Sequence, residues 1–173
     1  NNLVVGTGSG DAGITIYSGS GSGDSGNIFF ADGTGDSDET RGGITYNHET
    51  NALNLRVNDS PRMYIDSSGN VGINESSPLG KLHIRSSDAS LSTLNANADD
   101  LIIENNGHCG ISICSSTSGE GNLNFIDSGD TNIGRIQYSH SNNSLSFRAN
   151  DITAMTIDSS GNVGINESSP LGK

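Results

Sequence analysis

The residues of this sequence best suited to chemistry are three aspartates on a glycine-rich stretch. Asp32, Asp36 and Asp38 follow one another at short spacing, and oxygen donors arranged in this way on a flexible loop are typical of calcium sites. The equivalent stretch of the second half keeps only Asp127 and Asp130, and the full ligand spacing of an EF-hand is missing. The pattern leaves two interpretations open, a bound cation or a solvated acidic loop.

Two histidines form a second candidate. His48 and His140 each stand two residues after a tyrosine, Tyr46 and Tyr138, so on a continued strand each ring shares the face of that tyrosine. Three copies of one histidine around a symmetry axis could hold a metal ion. A hydrogen-bonded histidine at a strand end is the alternative.

The two cysteines lie in one extended pattern and are expected to be buried or half-buried free thiols. Cys109 and Cys114 are five residues apart, which in a strand is about 16 Å and too far for a disulfide within the chain. The matching positions of the first half hold Ala12 and Tyr17. The fold is therefore not expected to need either thiol.

No set of side chains in the sequence predicts catalysis. No Gly-x-Ser-x-Gly stretch stands between a strand and a helix. A glycan-degrading enzyme would need paired acids in a groove lined with aromatic rings, and the chain has no Trp, four Tyr and four Phe. We expect a protein that is not an enzyme and uses no cofactor.

Charge and hydropathy limit the partners. The net charge is -12 and Lys and Arg number 8, so neither nucleic acid nor an anionic membrane surface is an expected partner. The longest apolar runs are about four residues, which is too short to cross a bilayer. The chain begins Asn-Asn without a signal peptide, and we expect it to be part of a longer protein.

The chain is a tandem repeat. Residues 65–81 return letter for letter at residues 157–173, at an offset of 92, and such self-similarity is the signature of a repeat architecture. It predicts two modules, residues 1–81 and 82–173, with residues 82–100 as a connector. Modules of short strands generate length and surface more readily than a catalytic pocket.

Twelve short triplets, six in each module, have an apolar residue on either side of a middle residue that is mostly polar or Gly. This period of two predicts strands with one buried face. Only residues 89–99 are compatible with a turn of helix. The predicted strand centres are residues 14–16, 28–30, 44–46, 53–55, 63–65 and 71–73, then 111–113, 123–125, 136–138, 145–147, 155–157 and 163–165.

The supply of core residues is small. Only 31% of residues are hydrophobic and 5% are aromatic, so the chain is either disordered or completes its core with other chains, and the regular strand pattern favours the second. Three copies could join their narrow apolar walls on one axis and cover exposed strand edges. Gly72 and Gly164, each between two apolar residues, are expected where backbones approach closely.

Two stretches of the sequence resemble the repeat module of bacteriophage long tail fibres and related receptor-binding proteins. One is Arg-Met-Tyr-Ile-Asp-Ser-Ser-Gly-Asn-Val-Gly-Ile at residues 62–73, followed by Ser77-Pro78 and Lys81-Leu82-His83-Ile84. The other is Ala-Asp-Asp-Leu-Ile-Ile-Glu-Asn at residues 98–105. The family usually has Gly-Ile-Gly-Thr where this chain has Gly-Ile-Asn-Glu, at residues 72–75 and 164–167.

The resemblance implies an elongated, intertwined homotrimeric β-fibre, similar to a β-prism or β-helix and built from tandem modules. The expected function is a structural shaft or spacer that positions a host-recognition tip, in an extracellular tail fibre of the virion. The partners would then be two further copies and other segments of the fibre. Two alternatives stay open: a module whose variable loops bind cell-surface glycan, and a segment of a bacterial trimeric adhesin.

Overall fold

A computed structural model describes residues 3, 5 and 11–172 and shows an all-β protein, which confirms the all-β part of the predicted fold. Within these residues there is no helix. The predicted modules also include residues outside the described part of the chain, namely 1, 2, 4, 6–10 and 173. The strands are β1 Ser25–Phe30, β2 Gly42–Asn47, β3 Ala52–Val57, β4 Ser60–Ile65, β5 Val71–Ile73, β6 Leu82–Arg85, β7 Leu101–Glu104, β8 Glu120–Phe125, β9 Gly134–Ser139, β10 Ser144–Ala149, β11 Ile152–Ile157 and β12 Val163–Ile165.

The chain divides into two compact units, Asn1–Gly110 and Ile111–Lys173. The first contains a seven-stranded sheet in the order β1 to β7, and the second a five-stranded sheet in the order β8 to β12. Strands β1 to β5 and β8 to β12 are antiparallel meanders, whereas β6 and β7 add in parallel to β5. The predicted boundary at 81/82 marks the end of the sequence repeat, while the first unit continues through β6 and β7.

Ten of the twelve predicted triplets lie in strands, and two predictions are wrong. Residues 14–16 and 111–113 belong to no strand. They run beside the first strand of each sheet, where Ile16 approaches Gly26 and Ile113 approaches Gly121, but they make no ladder with it. Residues 89–99 contain no helix, and the turn there is closed by the Ala98 amide donating to the Asn95 carbonyl.

Hairpin turns follow the same plan in both units. Strands β3 and β4 are joined by Asn58-Asp59, and β10 and β11 by Asn150-Asp151, all four with positive φ between 49° and 63°. Two such residues in succession form a type I′ turn, whose twist matches the strands that it joins. The matching turns explain why the strands before and after them keep their spacing in the repeat.

The closing repeat forms a turn fastened by an aspartate. Asp66 Oδ1 accepts hydrogen bonds from the amides of Ser68 at 2.8 Å and Asn70 at 2.9 Å, and Asp158 makes the same pair of bonds in the second unit. Burial raises the pKa of Asp66, but the bonds from Asn70 and Ser68 outweigh it, and the pKa lies below its usual value. The Asn162 amide likewise lowers the pKa of Asp158. Each turn therefore gains stability from the ionised carboxylate, which is lost as acid protonates it.

Both glycines that were expected at close backbone approaches are confirmed there. A Cβ on Gly72 would lie 2.0 Å from the carbonyl oxygen of Glu75, and a Cβ on Gly164 would lie 2.2 Å from that of Glu167. The turn that brings this carbonyl back passes through Asn74, whose φ is 57°. Asn tolerates this left-handed conformation, so it can stand where the resembled family has Gly.

Candidate functional site

The most extensive functional surface is one apolar face of each sheet. In the first sheet, strand pairing aligns one residue from each of seven strands into a continuous row: Ile28, Ile44, Leu55, Met63, Ile73, Ile84 and Ile103. A second row beside it contains Tyr46, Leu53, Ile65, Val71, Leu82 and Leu101. Paired strands lie about 4.8 Å apart, so seven strands make a row about 29 Å long. Phe30 and Val57, aligned through Gly42, add a short third row at β1 to β3.

The second sheet repeats this arrangement over five strands. Its rows are Leu123, Ile136, Phe147, Met155 and Ile165, and Tyr138, Leu145, Ile157 and Val163. Many of these side chains are exposed, including Ile165 at 71%. We call these two surfaces the apolar faces.

Neither unit, taken by itself, gives its apolar face a core among the described residues. Among the described residues only two hydrophobic side chains are buried, Ala52 and Ile102. Both lie on the other face of the first sheet, because each is the neighbour in its strand of residues that belong to the apolar rows. Their partners on the adjacent strands, Asn47 and His83, lie on that other face too. The accessible surface is 12064 Å², whereas a folded monomer of 17.8 kDa exposes about 8,000 Å². Two separate domains of the sizes of the two units would still expose only about 9,500 Å².

The acidic loop is occupied by an arginine of the same chain. Arg41 Nε lies 3.3 Å from Asp32 Oδ2, and Arg41 Nη2 lies 3.0 Å from Asp38 Oδ1, while Asp36 is exposed. The pKa of Arg41 is raised, first of all by the charge of Asp32. The guanidinium compensates two of the three carboxylates, and the predicted cation site there stays a prediction.

The two candidate histidines have equivalent surroundings. The rings of His48 and Tyr46 meet edge to face with centroids 5.0 Å apart, and those of His140 and Tyr138 do so at 4.9 Å. Each histidine follows its tyrosine by two residues and lies just past the end of the strand, β2 or β9, that carries the tyrosine. The sharing of an ion between copies of one histidine remains a prediction.

Both cysteines are free and exposed. Cys109 Sγ lies 3.2 Å from the carbonyl oxygen of Ile103. The thiols are free in the single chain, as expected, but their expected burial is wrong, because residues 109–114 belong to no strand and both side chains are exposed.

A further polar cluster, which the sequence analysis did not find, lies on the face opposite the apolar rows. Glu75, His83 and Glu104 are all buried, with 6%, 1% and 4% of their surfaces exposed. Their potential metal-ligand atoms lie within 4.8 Å of one another. His83 Nε2 is 2.9 Å from Glu104 Oε2, and Arg85 Nη1 is 2.7 Å from Glu75 Oε2.

Three strands position this cluster. Parallel pairing places His83 beside Gly72 and Ile102, and Arg85 beside Glu104, so alternate residues of β6 and β7 project from the same face. Glu75 arrives on the turn after β5 that Gly72 permits. We call Glu75, His83 and Glu104 the buried triad.

Backbone amides hold both carboxylates of the buried triad. The Ser77 amide donates to Glu75 Oε1 at 2.6 Å, and the Ala89 amide donates to Glu104 Oε1 at 2.5 Å. The Leu79 amide lies 3.5 Å from His83 Nδ1. Beside the triad is an open depression of about 300 Å³, which Asp88 and Ser90 also line.

The signal for this cluster in the sequence was the alternation in Leu82-His83-Ile84-Arg85. It places two ionisable side chains on the face away from the apolar residues. The partner Glu104 is 21 residues away, and no local pattern pairs the two strands in parallel.

Comparisons with known proteins give this chain no family. No protein-family model matches it, and no curated protein matches it either. In the described part of the chain, no helix has the length and apolar character needed to cross a membrane.

Proposed function

We propose that this chain is a structural segment of a homotrimeric fibre, acting as a shaft or spacer in a bacteriophage tail fibre or a similar receptor-binding appendage. The observation that carries the proposal is the pair of uncovered apolar faces. Large apolar side chains of both faces are exposed in the single chain, among them Leu101 at 52%, Leu123 at 51% and Ile165 at 71%, and contiguous exposed apolar patches mark interaction surfaces. The occupant of each apolar face is the same face of two further copies.

The width of the apolar faces favours three copies over two. Most strands present two apolar residues to the face, about 7 Å along the strand, which is narrow for one wall of a two-sheet sandwich. Three narrow walls can meet around an axis and enclose a core of small cross-section. A closed ring of three also lets each copy shield strand edges of its neighbours.

The direction of the rows favours a fibre. Within one sheet, each added strand lengthens an apolar row by about 4.8 Å at right angles to the strands, so a sheet of many short strands gains length and not width. A spacer needs length, a regular core and loops whose sequence is unimportant for function. The repeat provides these three properties.

Exchange of two equivalent loops tests whether the chain is a spacer or a module that binds glycan. Residues 33–41 and their shorter counterpart 128–133 end in the same backbone bond: the Asp59 amide donates to the Arg41 carbonyl at 2.9 Å, and the Asp151 amide to the Ile133 carbonyl at 3.0 Å. Replacing 33–41 by the sequence of 128–133 should therefore preserve the hairpin. We expect a change in trimer stability of less than about 0.5 kcal/mol, as for surface positions in general, and unchanged attachment of the full fibre to cells.

The measurements are a melting curve and a cell-binding assay on the same variant. The reverse exchange, with 33–41 placed at 128–133, is the matched control. Loss of attachment with an unchanged melting temperature would contradict the spacer function and would favour a module whose loop binds cell-surface glycan.

A further inference from the structure

We infer that the buried triad is a binding site for a divalent transition-metal ion, with Zn²⁺ as the ion best matched to its ligands. This inference concerns residues of a single chain and is independent of the proposed trimer. The triad stands out because the described chain buries only two hydrophobic side chains and yet buries these three ionisable ones together. Burial of charged groups is costly unless they are paired or coordinate a metal.

The ligand types select the metal. One imidazole and two carboxylates make a mixed nitrogen and oxygen set, which suits Zn²⁺ and its neighbours, whereas Ca²⁺ and Mg²⁺ prefer oxygen alone. Ligand atoms on tetrahedral Zn²⁺ lie about 3.4 Å apart at bonds of about 2.0–2.1 Å. Ligand atoms within 4.8 Å of one another therefore need only small side-chain movements to close on the ion. The adjoining depression can admit water as the fourth ligand.

Contacts around the ligands resemble the outer shell of a metal site. The Ser77 and Ala89 amides each bind one carboxylate oxygen, on Glu75 and on Glu104. Such bonds fix the direction of metal-binding carboxylates. They leave the second oxygen of Glu104 against His83 Nε2.

The side chains that pair with the buried triad do not prevent the triad from turning to a metal ion. Arg85, which binds Glu75, also has Asp88 3.8 Å away, so its charge remains compensated when Glu75 turns to an ion. Metal binding through His83 Nε2 moves the ring hydrogen to Nδ1. It replaces the 2.9 Å hydrogen bond between His83 Nε2 and Glu104 Oε2 by bonds from both groups to the ion. It also gives up the 3.5 Å contact with the Leu79 amide, which is at the outer limit of a hydrogen bond.

The second unit supplies a matched control. Glu167 is the counterpart of Glu75 and accepts the same hydrogen bond, from the Ser169 amide at 2.8 Å, but it is exposed. The variant Glu167→Gln removes a carboxylate from an equivalent turn and leaves the buried triad complete.

The test is calorimetric titration of the whole chain with Zn²⁺, with Ca²⁺ as the comparison ion. We expect one Zn²⁺ per chain in preference to Ca²⁺. His83→Gln and Glu75→Gln should each weaken binding at least tenfold, and Glu167→Gln should leave it unchanged. Binding that survives both triad variants, or no binding of Zn²⁺ at all, would overturn the inference.

A second measurement needs no variant and covers the case in which a triad variant does not fold. The chain has 4 histidines, and Zn²⁺ should shift the ring resonances of His83 in the NMR spectrum before those of His48, His108 and His140. Shifts confined to the other three histidines would place the ion elsewhere and reject the buried triad. A trimer is not required for either outcome, so a failed trimer prediction and a failed metal prediction are distinguishable.

Discussion

The variant Ile165→Asp is expected to abolish assembly while leaving the sheet of an isolated chain intact. Ile165 lies at the end of an apolar row and is 71% exposed in the single chain, so an aspartate there remains hydrated as long as the chain is alone. In a trimer the same position faces the axis, and each chain would bury a carboxylate without a partner. An uncompensated buried charge costs about 3–5 kcal/mol.

The measurement is the molar mass in solution at several protein concentrations. Asn124→Asp is the control, since Asn124 is exposed on the opposite face and pairs in register with Arg135. Ile73→Asp, the equivalent change in the first sheet, should act as Ile165→Asp does. If Ile165→Asp assembled as well as Asn124→Asp, the apolar face would not be an interface.

A methyl group added at Gly72 should destabilise the first unit strongly. The Cβ of Gly72→Ala would lie 2.0 Å from the backbone oxygen of Glu75, and a backbone atom cannot yield as the end of a flexible side chain can. Overpacking of this kind costs about 1–3 kcal/mol. It would also displace Glu75, so the variant should weaken Zn²⁺ binding as well.

Thermal unfolding followed by circular dichroism measures this effect. Gly110→Ala is the control, because a Cβ there would meet nothing within 4 Å. Gly164→Ala should produce a similar loss in the second unit, where the clash is at 2.2 Å. Equal melting of Gly72→Ala and Gly110→Ala would show that the turn relaxes freely and that the close approach is unimportant.

Much of the fold could be predicted because the information is local. A triplet such as 44–46 or 136–138 shows the strand period within three residues, and the closing turn shows its aspartate and glycine directly. The two failures have the same local pattern. Residues 14–16 and 111–113 alternate as strands do. A strand also needs a neighbouring strand with which its backbone forms hydrogen bonds, and the triplet itself does not specify that neighbour.

The buried triad could not be predicted for a related reason. His83 and Glu104 meet only because β6 and β7 pair in parallel, and strand direction is not encoded in a period of two. Glu75 joins them through a turn that depends on Gly72 and on the left-handed Asn74. The acidic loop shows the opposite case: its aspartates are obvious in the sequence, and the structure places Arg41 among them.

The most direct test of the central proposal is the molar mass of the chain by light scattering, together with its circular dichroism spectrum. A trimeric fibre segment predicts a β-sheet spectrum and about three times the 17.8 kDa of the single chain, with a mass that does not fall on moderate dilution. A folded, compact monomer with a β-sheet spectrum would contradict the proposal, and a stable dimer would contradict its three-fold form.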